Sequence, residues 1–238
     1  MIRSIGVRNV IVGAGLAVLA ACSNAQSPDV ASEENGVEIC RIAEPCANPL
    51  PVKAVLVTMF EIGADEGDRP GEFQLWKERR PFDVEIEFPH SHHSLFYDPE
   101  AQILAMVTGI GTAKSTASTM ALGLDTRFDL SKAYWLVAGI AGIDPEDASI
   151  GSAVWSAYLV DGDLAHHIDA REKPEDWPTG YFARQTQFPY DPGKPEPDGG
   201  EMFLINQDLR DWAFELTKDV VIPDLPGLEE TRALYTEH

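Results

Sequence analysis

The chain is predicted to be an α/β protein built on a mixed central sheet. Three observations carry that expectation. AVLVTMF (54–60) and YWLVA (134–138) are continuous apolar runs of strand length, as in strands buried on both faces. Alternating or hairpin-forming runs stand between them. Two segments, TAKSTASTMALGL (112–124) and the stretch through Leu209, Trp212, Ala213 and Leu216, carry helical spacing. Strands alternating with helices imply helices layered on a sheet.

Taken in order, the first residues are expected to lie outside the fold. MIRSIGVRN carries Arg3 and Arg8, and VIVGAGLAVLAA follows as a short apolar run. A basic start, an apolar stretch too short to span a bilayer comfortably and small residues at its end describe a secretory leader. Leu19-Ala20-Ala21-Cys22 also has the form of a bacterial lipobox, with Cys22 as the lipidated residue. The alternative is an ordinary leader with a cysteine near its end. The expected location is the periplasmic side of a bacterial membrane, with contact to the membrane only through an anchor at Cys22. No other run approaches the roughly 20 apolar residues of a spanning helix. The expected division is a leader with lipobox at 1–22, a polar, proline-punctuated flexible tether at 23–51, and one globular domain at 52–238.

Cys40 and Cys46 are an even pair in a compartment that permits disulfides. A disulfide is favoured over two free thiols, and no second Cys or His pair stands near for a metal. The formal net charge is −21, and −23 once the two leader arginines are gone. Such a chain repels nucleic acid and anionic lipid, which excludes both as partners.

Within the globular part, GEFQLWKER (71–79) reads as a short helix and VEIEF (84–88) as a half-exposed strand. SLFY and QILAMVTG flank Asp98-Pro99-Glu100-Ala101, a hairpin turn. The helix over 112–124 places Ala113, Ala117, Met120, Ala121 and Leu124 on one face, a narrow stripe for close packing. The run 134–138 is another buried strand, and Ser152–Val160 is strand-like. Residues 161–201 form a long excursion, read as a lid or interface. The pattern through Leu216 is a helix packed on the sheet, and the tail from Pro223 is loop with a short helix.

AMVTGIGTAKST (105–116) runs from strand through a glycine turn into a helix. It lacks both glycines of the triphosphate-binding loop, and Lys114 stands where the dinucleotide fingerprint needs its third glycine. What remains is a glycine turn that lets N–H groups at a helix start face an anion or hydroxyl. In such sheets ligands sit beyond the carboxyl ends of strands. Three of those ends are polar or glycine-rich: Thr58–Glu61, Thr108–Gly111 and Ala138–Gly142.

The ordered blocks VLVTMF, VTGIGTAKSTAS and VAGIAGIDPEDASIGSAVW with YLVDGD resemble the purine nucleoside phosphorylase and nucleosidase superfamily. Within it, TMFEIGADEGDRPGEFQLW and VDGDLAHHIDARE are similar to the purine nucleoside permease family. The resemblance implies a three-layer α/β/α sandwich and a purine nucleoside cleft. It places Thr108, Gly109 and Gly111 near the phosphate or water side of the ribose. It places Ala138, Gly139, Ala141 and Gly142 beneath base and sugar. No cofactor is implied, although phosphate is a possible co-substrate.

The superfamily's enzymes cleave the N-glycosidic bond with a Met-Glu pair on the ribose hydroxyls and a Ser-Asp or Ser-Asn at the purine. Neither occurs here before His238, so the chain is expected to be the N-terminal portion of that domain, incomplete at its C-terminus. The nucleosidases' water-activating glutamate has an out-of-register counterpart in Glu61. Asp163 and His166, within Asp161–Glu172, are the other candidates for acid–base work, against a plain charged surface loop. His90, His92 and His93 are read as a solvated strand edge or turn, so no metal is expected. Trp135, Trp155 and Tyr158 either stack on a base or belong to the core. The expected function is nucleoside binding and uptake, by capture or by delivery to a membrane transporter, with a homo-oligomer possible. The alternative is an exported phosphorylase or nucleosidase, impaired in this form.

Overall fold

The computed structural model describes residues 32–42, 44–191 and 201–235. Cys22, the leader and the start of the expected tether lie outside the described residues. The chain divides into two units, Met1–Ile140 and Ala141–His238.

The first unit opens with a hairpin of β1 (Ser32–Glu34) and β2 (Val37–Ile39). Its turn is Asn35-Gly36, both at positive φ, the chemistry of a tight hairpin turn. Cys40 and Cys46 are joined by a disulfide, and β3 (Leu50–Pro51) pairs in parallel with β8 (Phe128–Asp129). Ile39 and Leu50 are buried in the core. The described part of the stretch expected as a tether is therefore folded, and the Asn-Gly signal was there to read.

The main sheet runs in the order β5–β6–β7–β4–β9. Its strands are β4 (Ala54–Thr58), β5 (Val84–Ile86), β6 (Leu95–Asp98), β7 (Ile103–Val107) and β9 (Tyr134–Val137). The β5, β6 and β7 ladders are antiparallel, while β7, β4 and β9 run parallel. The Asp98 carboxylate makes the turn between β6 and β7 by accepting the Glu100 and Ala101 N–H groups at 3.1 and 2.9 Å.

Alternation along β4 and β7 sends side chains to opposite faces. Val55, Val57, Leu104 and Met106 join Leu122 of helix α2 (Thr112–Gly123) and Phe128 in one cluster. Leu56, Ala105 and Val107 join Phe73, Phe82 and Phe96 in the other, with Trp76 of helix α1 (Gln74–Arg79) packed against them. Each of the larger buried side chains, Ala105 aside, contributes about 1.5–3 kcal/mol by burial.

Two expectations fail here. β9 is not buried: Tyr134 is 64% and Val137 61% exposed, because it is an end strand with one neighbour and little cover among the described residues. Most of the stripe on α2 faces outward, with Met120 57% and Leu124 74% exposed, and of its residues Ala121 alone packs against the core. Ser118 and Leu122 are the buried positions instead. Ser118 can be buried because its hydroxyl donates to the Thr108 carbonyl at 2.9 Å.

The second unit contains two separate antiparallel ladders. β10 (Tyr158–Val160) pairs with β13 (Met202–Leu204), and β11 (Ala165–His167) with β12 (Tyr181–Ala183). Only the last three residues of the strand expected over 152–160 are strand. Helix α3 (Gln207–Thr217) is capped by the Asn206 side chain, which accepts the Leu209 N–H at 2.9 Å. Helix α4 (Pro226–Arg232) starts with proline at its first turn. The expected packing face of α3 is open: Ala213 is buried, but Trp212 and Leu216 are exposed. The chain is thus a mixed α/β protein with a five-stranded mixed sheet and, among the described residues, four helices.

Candidate functional site

The Thr108–Gly111 turn continues β7. Thr108 N–H donates to the Thr58 carbonyl at 2.9 Å, so the parallel pairing runs one residue past the strand. Its hydroxyl lies 3.1 Å from both the Gly109 carbonyl and the Ser115 hydroxyl, and Ser115 also donates to Gly109 at 3.2 Å. The turn is therefore tied to the first turns of α2 by side-chain hydroxyls.

Gly109 has φ +86°, and a Cβ there would lie 2.8 Å from Lys114 Cδ and 3.1 Å from His92 Cγ. Gly111 has φ +96° with open space around it. Glycine is required at both by backbone conformation, and at Gly109 also by contact. No side chain caps α2, so its first N–H groups and the positive end of its dipole are left to solvent or ligand.

The second turn follows β9. Ala138 N–H donates to the Val57 carbonyl at 2.9 Å. Beyond it, a residue that sequence reasoning missed takes over. The Glu72 carboxylate accepts the Met59 N–H at 2.7 Å on one oxygen and the Ile140 N–H at 3.1 Å on the other. Glu72 thus bridges the carboxyl ends of β4 and β9. A Cβ on Gly139 would lie 2.6 Å from Met59 Cε and 3.0 Å from Glu72 Oε1. Ala141 and Gly142 are exposed and belong to the second unit. Thr108, Gly109 and Gly111 follow β7, and Ala138 and Gly139 follow β9, the two parallel neighbours of β4 in the first unit.

Glu61 is otherwise occupied. Its carboxylate accepts N–H groups from Ile62, Phe73 (2.8 Å each), Gly71 and Gln74. Burial pushes its carboxyl up, but the four backbone donors outweigh that and hold it below its ordinary value. A carboxylate has about four acceptor positions, so this one has none to spare for a water or substrate proton. Glu61 closes the 62–70 loop and caps α1.

That loop has a second fastening. Asp65 Oδ1 lies 3.1 Å from His93 Nε2, while His93 Nδ1 lies 3.0 Å from the Ser94 carbonyl. The segment 89–93 is a turn, as one of the two expected readings had it, but the His93 ring packs against Phe73 and Phe96 and is less solvated than expected. Burial raises the Asp65 carboxyl, and the facing His93 opposes the rise. His90 and His92 are exposed, and no cluster of metal-ligating side chains occurs among the described residues.

Asp163 and His166 do not form an acid–base pair. His166 Nε2 donates to the Arg184 carbonyl at 3.1 Å, and its ring lies 5.1 Å from that of Phe182. No hydrogen bond or ion pair joins it to Asp163 among the described residues. Two concavities lie away from the glycine turns. One, of about 510 Å³, is lined by Ile42, Pro45, Ala121 and Leu124 in the first unit. The other, of about 140 Å³, is lined by Ile143, Ile150, Arg232 and Tyr235 in the second. Among the described residues no helix is long and apolar enough to cross a membrane.

The family model described as purine nucleoside permease (NUP) matches residues 51–238. A probable purine nucleoside permease of Schizosaccharomyces pombe is 36% identical over 143 residues, 57% of this chain and 41% of its own length. A purine nucleoside permease of Candida albicans is 29% identical over 222 residues, 90% of this chain and 52% of its own. The chain therefore spans about half the length of these relatives, or less. No solved structure matches it significantly.

Proposed function

The chain belongs to the purine nucleoside permease family, and on that premise we propose that it binds purine nucleosides at the carboxyl ends of β4, β7 and β9, in the service of nucleoside uptake. One observation carries the reading. Three adjacent parallel strands end together, β7 and β9 in glycine turns on either side of β4, beside the uncapped N-terminus of α2 and the bridging Glu72. Small residues let a sugar and base approach main chain, and the helix start offers N–H donors. The complete domain, on this reading, is a three-layer, phosphorylase-like sandwich spread over 52–238 and beyond the part described.

Uptake here means capture and hand-over to a membrane partner. Export and lipidation at Cys22 are supported by the leader sequence alone, and the relatives above are fungal. Cleavage of the glycosidic bond has no specific observation in its favour. Glu61 has its acceptor positions filled, and Asp163 and His166 stand apart.

Calorimetric titration of the leaderless protein with inosine and adenosine, with and without phosphate, tests the reading. Saturable heat with intact nucleoside recovered by chromatography is the expected result. Gly139→Val should weaken binding at least about tenfold, since the added carbons crowd the Glu72 carboxylate. Gly111→Val is the poorer probe, because φ +96° strains any β-branched residue regardless of ligand. Free base in the mixture means an enzyme. No heat from a sample that melts cooperatively sinks the reading.

A further inference from the structure

The geometry points to a proton-controlled latch at His93 and Asp65. A proton held between ring and carboxylate keeps the 62–70 loop against the 89–94 segment, and its loss lets the loop go. The latch is a moving part of the first unit and stands whether or not the ligand is a nucleoside.

The loop leaves the carboxyl end of β4 at Glu61 and returns to it at Glu72, whose carboxylate accepts the Met59 N–H. Its roots are fixed by the Glu61 carboxylate, which holds the N–H groups of Ile62, Gly71, Phe73 and Gln74. Its second half is tied to α1. Lys77 lies 3.5 Å from Glu66, Glu78 accepts the Gly67 N–H at 3.0 Å, and Gln74 donates to the Asp68 carbonyl at 3.2 Å. Toward the 89–94 segment, the one polar tie among the described residues is Asp65 Oδ1 to His93 Nε2, at 3.1 Å.

The proton content of that tie follows from the other ring nitrogen. His93 Nδ1 lies 3.0 Å from the Ser94 carbonyl, which can only accept, so Nδ1 carries a hydrogen. A neutral imidazole has one N–H, and it is used there. Nε2 then has a hydrogen for Asp65 only in the imidazolium; otherwise the carboxyl supplies it as a neutral acid. Either way, the closed pair holds one proton more than a neutral ring facing a carboxylate. When that proton leaves to water, the Nε2 lone pair stands 3.1 Å from a carboxylate oxygen, and attraction becomes repulsion.

The surroundings act in the same direction. Both side chains are 26% exposed, so the pair is open to protons without being fully screened by water. Glu85 of β5 and Glu61 face Asp65 and disfavour its charge, as burial does. The cation of α1, Lys77, sits 4.7 Å from the Phe96 ring centroid and is engaged with Glu66. Whichever partner holds the proton, the closed form binds it more tightly than the open form. Closure is therefore complete at low pH and is lost as pH rises. The residue before the latch, His92, lies against the first glycine turn, where a Cβ on Gly109 would stand 3.1 Å from His92 Cγ. The latch thus connects the loop after β4 to the turn after β7 through one short segment of chain.

Amide exchange of the full chain, corrected for its intrinsic pH dependence and scanned over about pH 5 to 8, where histidines titrate, tests this. The reporter is Ala64, whose N–H donates to Asp68 Oδ2 at 2.9 Å within the loop, and Leu104 in the core is the control. Ala64 should exchange about ten- to a hundredfold faster at the upper end, the loss of one hydrogen bond to a charged group, while Leu104 holds. Asp65→Asn should abolish the rise with the loop closed throughout, because an amide donates to a bare Nε2 and accepts from a protonated one. Asp65→Ala should exchange fast at every pH. Should Asp65→Asn fail to melt cooperatively, His93→Gln replaces it, since its amide donates to Asp65 at any pH and gives the same flat profile. A flat wild-type profile, or a rise that persists in the amide variant, overturns the latch.

Discussion

The two units differ more in layering than in content. Residues up to Ile140 build two clusters of fully buried aliphatic and aromatic side chains on opposite faces of one sheet. From Ala141 onward, Pro189 and Ala213 are the buried apolar residues among those described. Trp155, Tyr158, Phe203, Trp212 and Phe214 are all present there and all exposed. Apolar residues become a core only when one layer lies on another. The first unit has a five-stranded sheet with helical residues against both faces. The second has two ladders of two strands each, and such a pair is marginal alone.

The largest effect belongs to Leu104→Ala, which empties a fully buried position in the first cluster and should cost about 2–5 kcal/mol in denaturant unfolding. Reduction of the Cys40–Cys46 bridge comes next. Its loop is short, with a separation of 6 residues, so the expected loss is near the low end of the usual range, about 2 kcal/mol.

Glu61→Gln should cost about 1 kcal/mol or somewhat more, because one amide oxygen cannot serve four N–H donors. The sign with pH follows from the lowered carboxyl. Its contribution is present above the ordinary value of 4.5 and disappears as pH falls through the lower folded value. The variant should therefore show a flatter acid limb in a plot of melting temperature against pH. The smallest effect is Trp212→Ala, expected within about 0.5 kcal/mol because the ring is 62% exposed. A loss there comparable to that of Leu104→Ala would reveal a core in the second unit and end the comparison. Native-state amide exchange gives the same test residue by residue: protection over 54–57 and 103–107, fast exchange over 158–160 and 202–204.

Sequence pattern revealed the elements better than their surroundings. AVLVT and ILAMV are continuous apolar strands, and they are buried on both faces as such runs should be. VEI alternates, and its middle residue Glu85 is exposed. YWLV has the same apolar run as AVLVT, yet lies open, because a sequence shows what a strand can pack against and not whether anything is there. On α2, periodicity picked Met120 and Leu124, but a hydrogen bond to Thr108 brought Ser118 inward. Hydrophobicity patterns carry no record of such a bond.

The candidate site was legible where it is local. Gly109 and Gly111 stand out in seven letters of sequence, and their positive φ angles agree. Glu72 was not legible. Its partners, Met59 and Ile140, lie 13 and 68 residues away and meet only because β4 and β9 are neighbours in the sheet. Glu61 misled for the converse reason, since proximity to the strand end says nothing about which donors will claim a carboxylate first.

The open side of β9 has a consequence for behaviour at high concentration. Tyr134 and Ala138 turn their N–H groups toward β4, so those of Trp135 and Val137 point outward, as the alternation of a parallel ladder requires. Two copies meeting edge to edge is a second-order event, so doubling the concentration quadruples its rate. What slows it is the net charge of −21, which makes like molecules repel before they touch. That repulsion reaches about 10 Å at 0.1 M salt and about 3 Å at 1 M. Added salt therefore strips the protection from this edge while leaving the edge itself unchanged, and colloidal stability should fall with ionic strength faster than folding stability does.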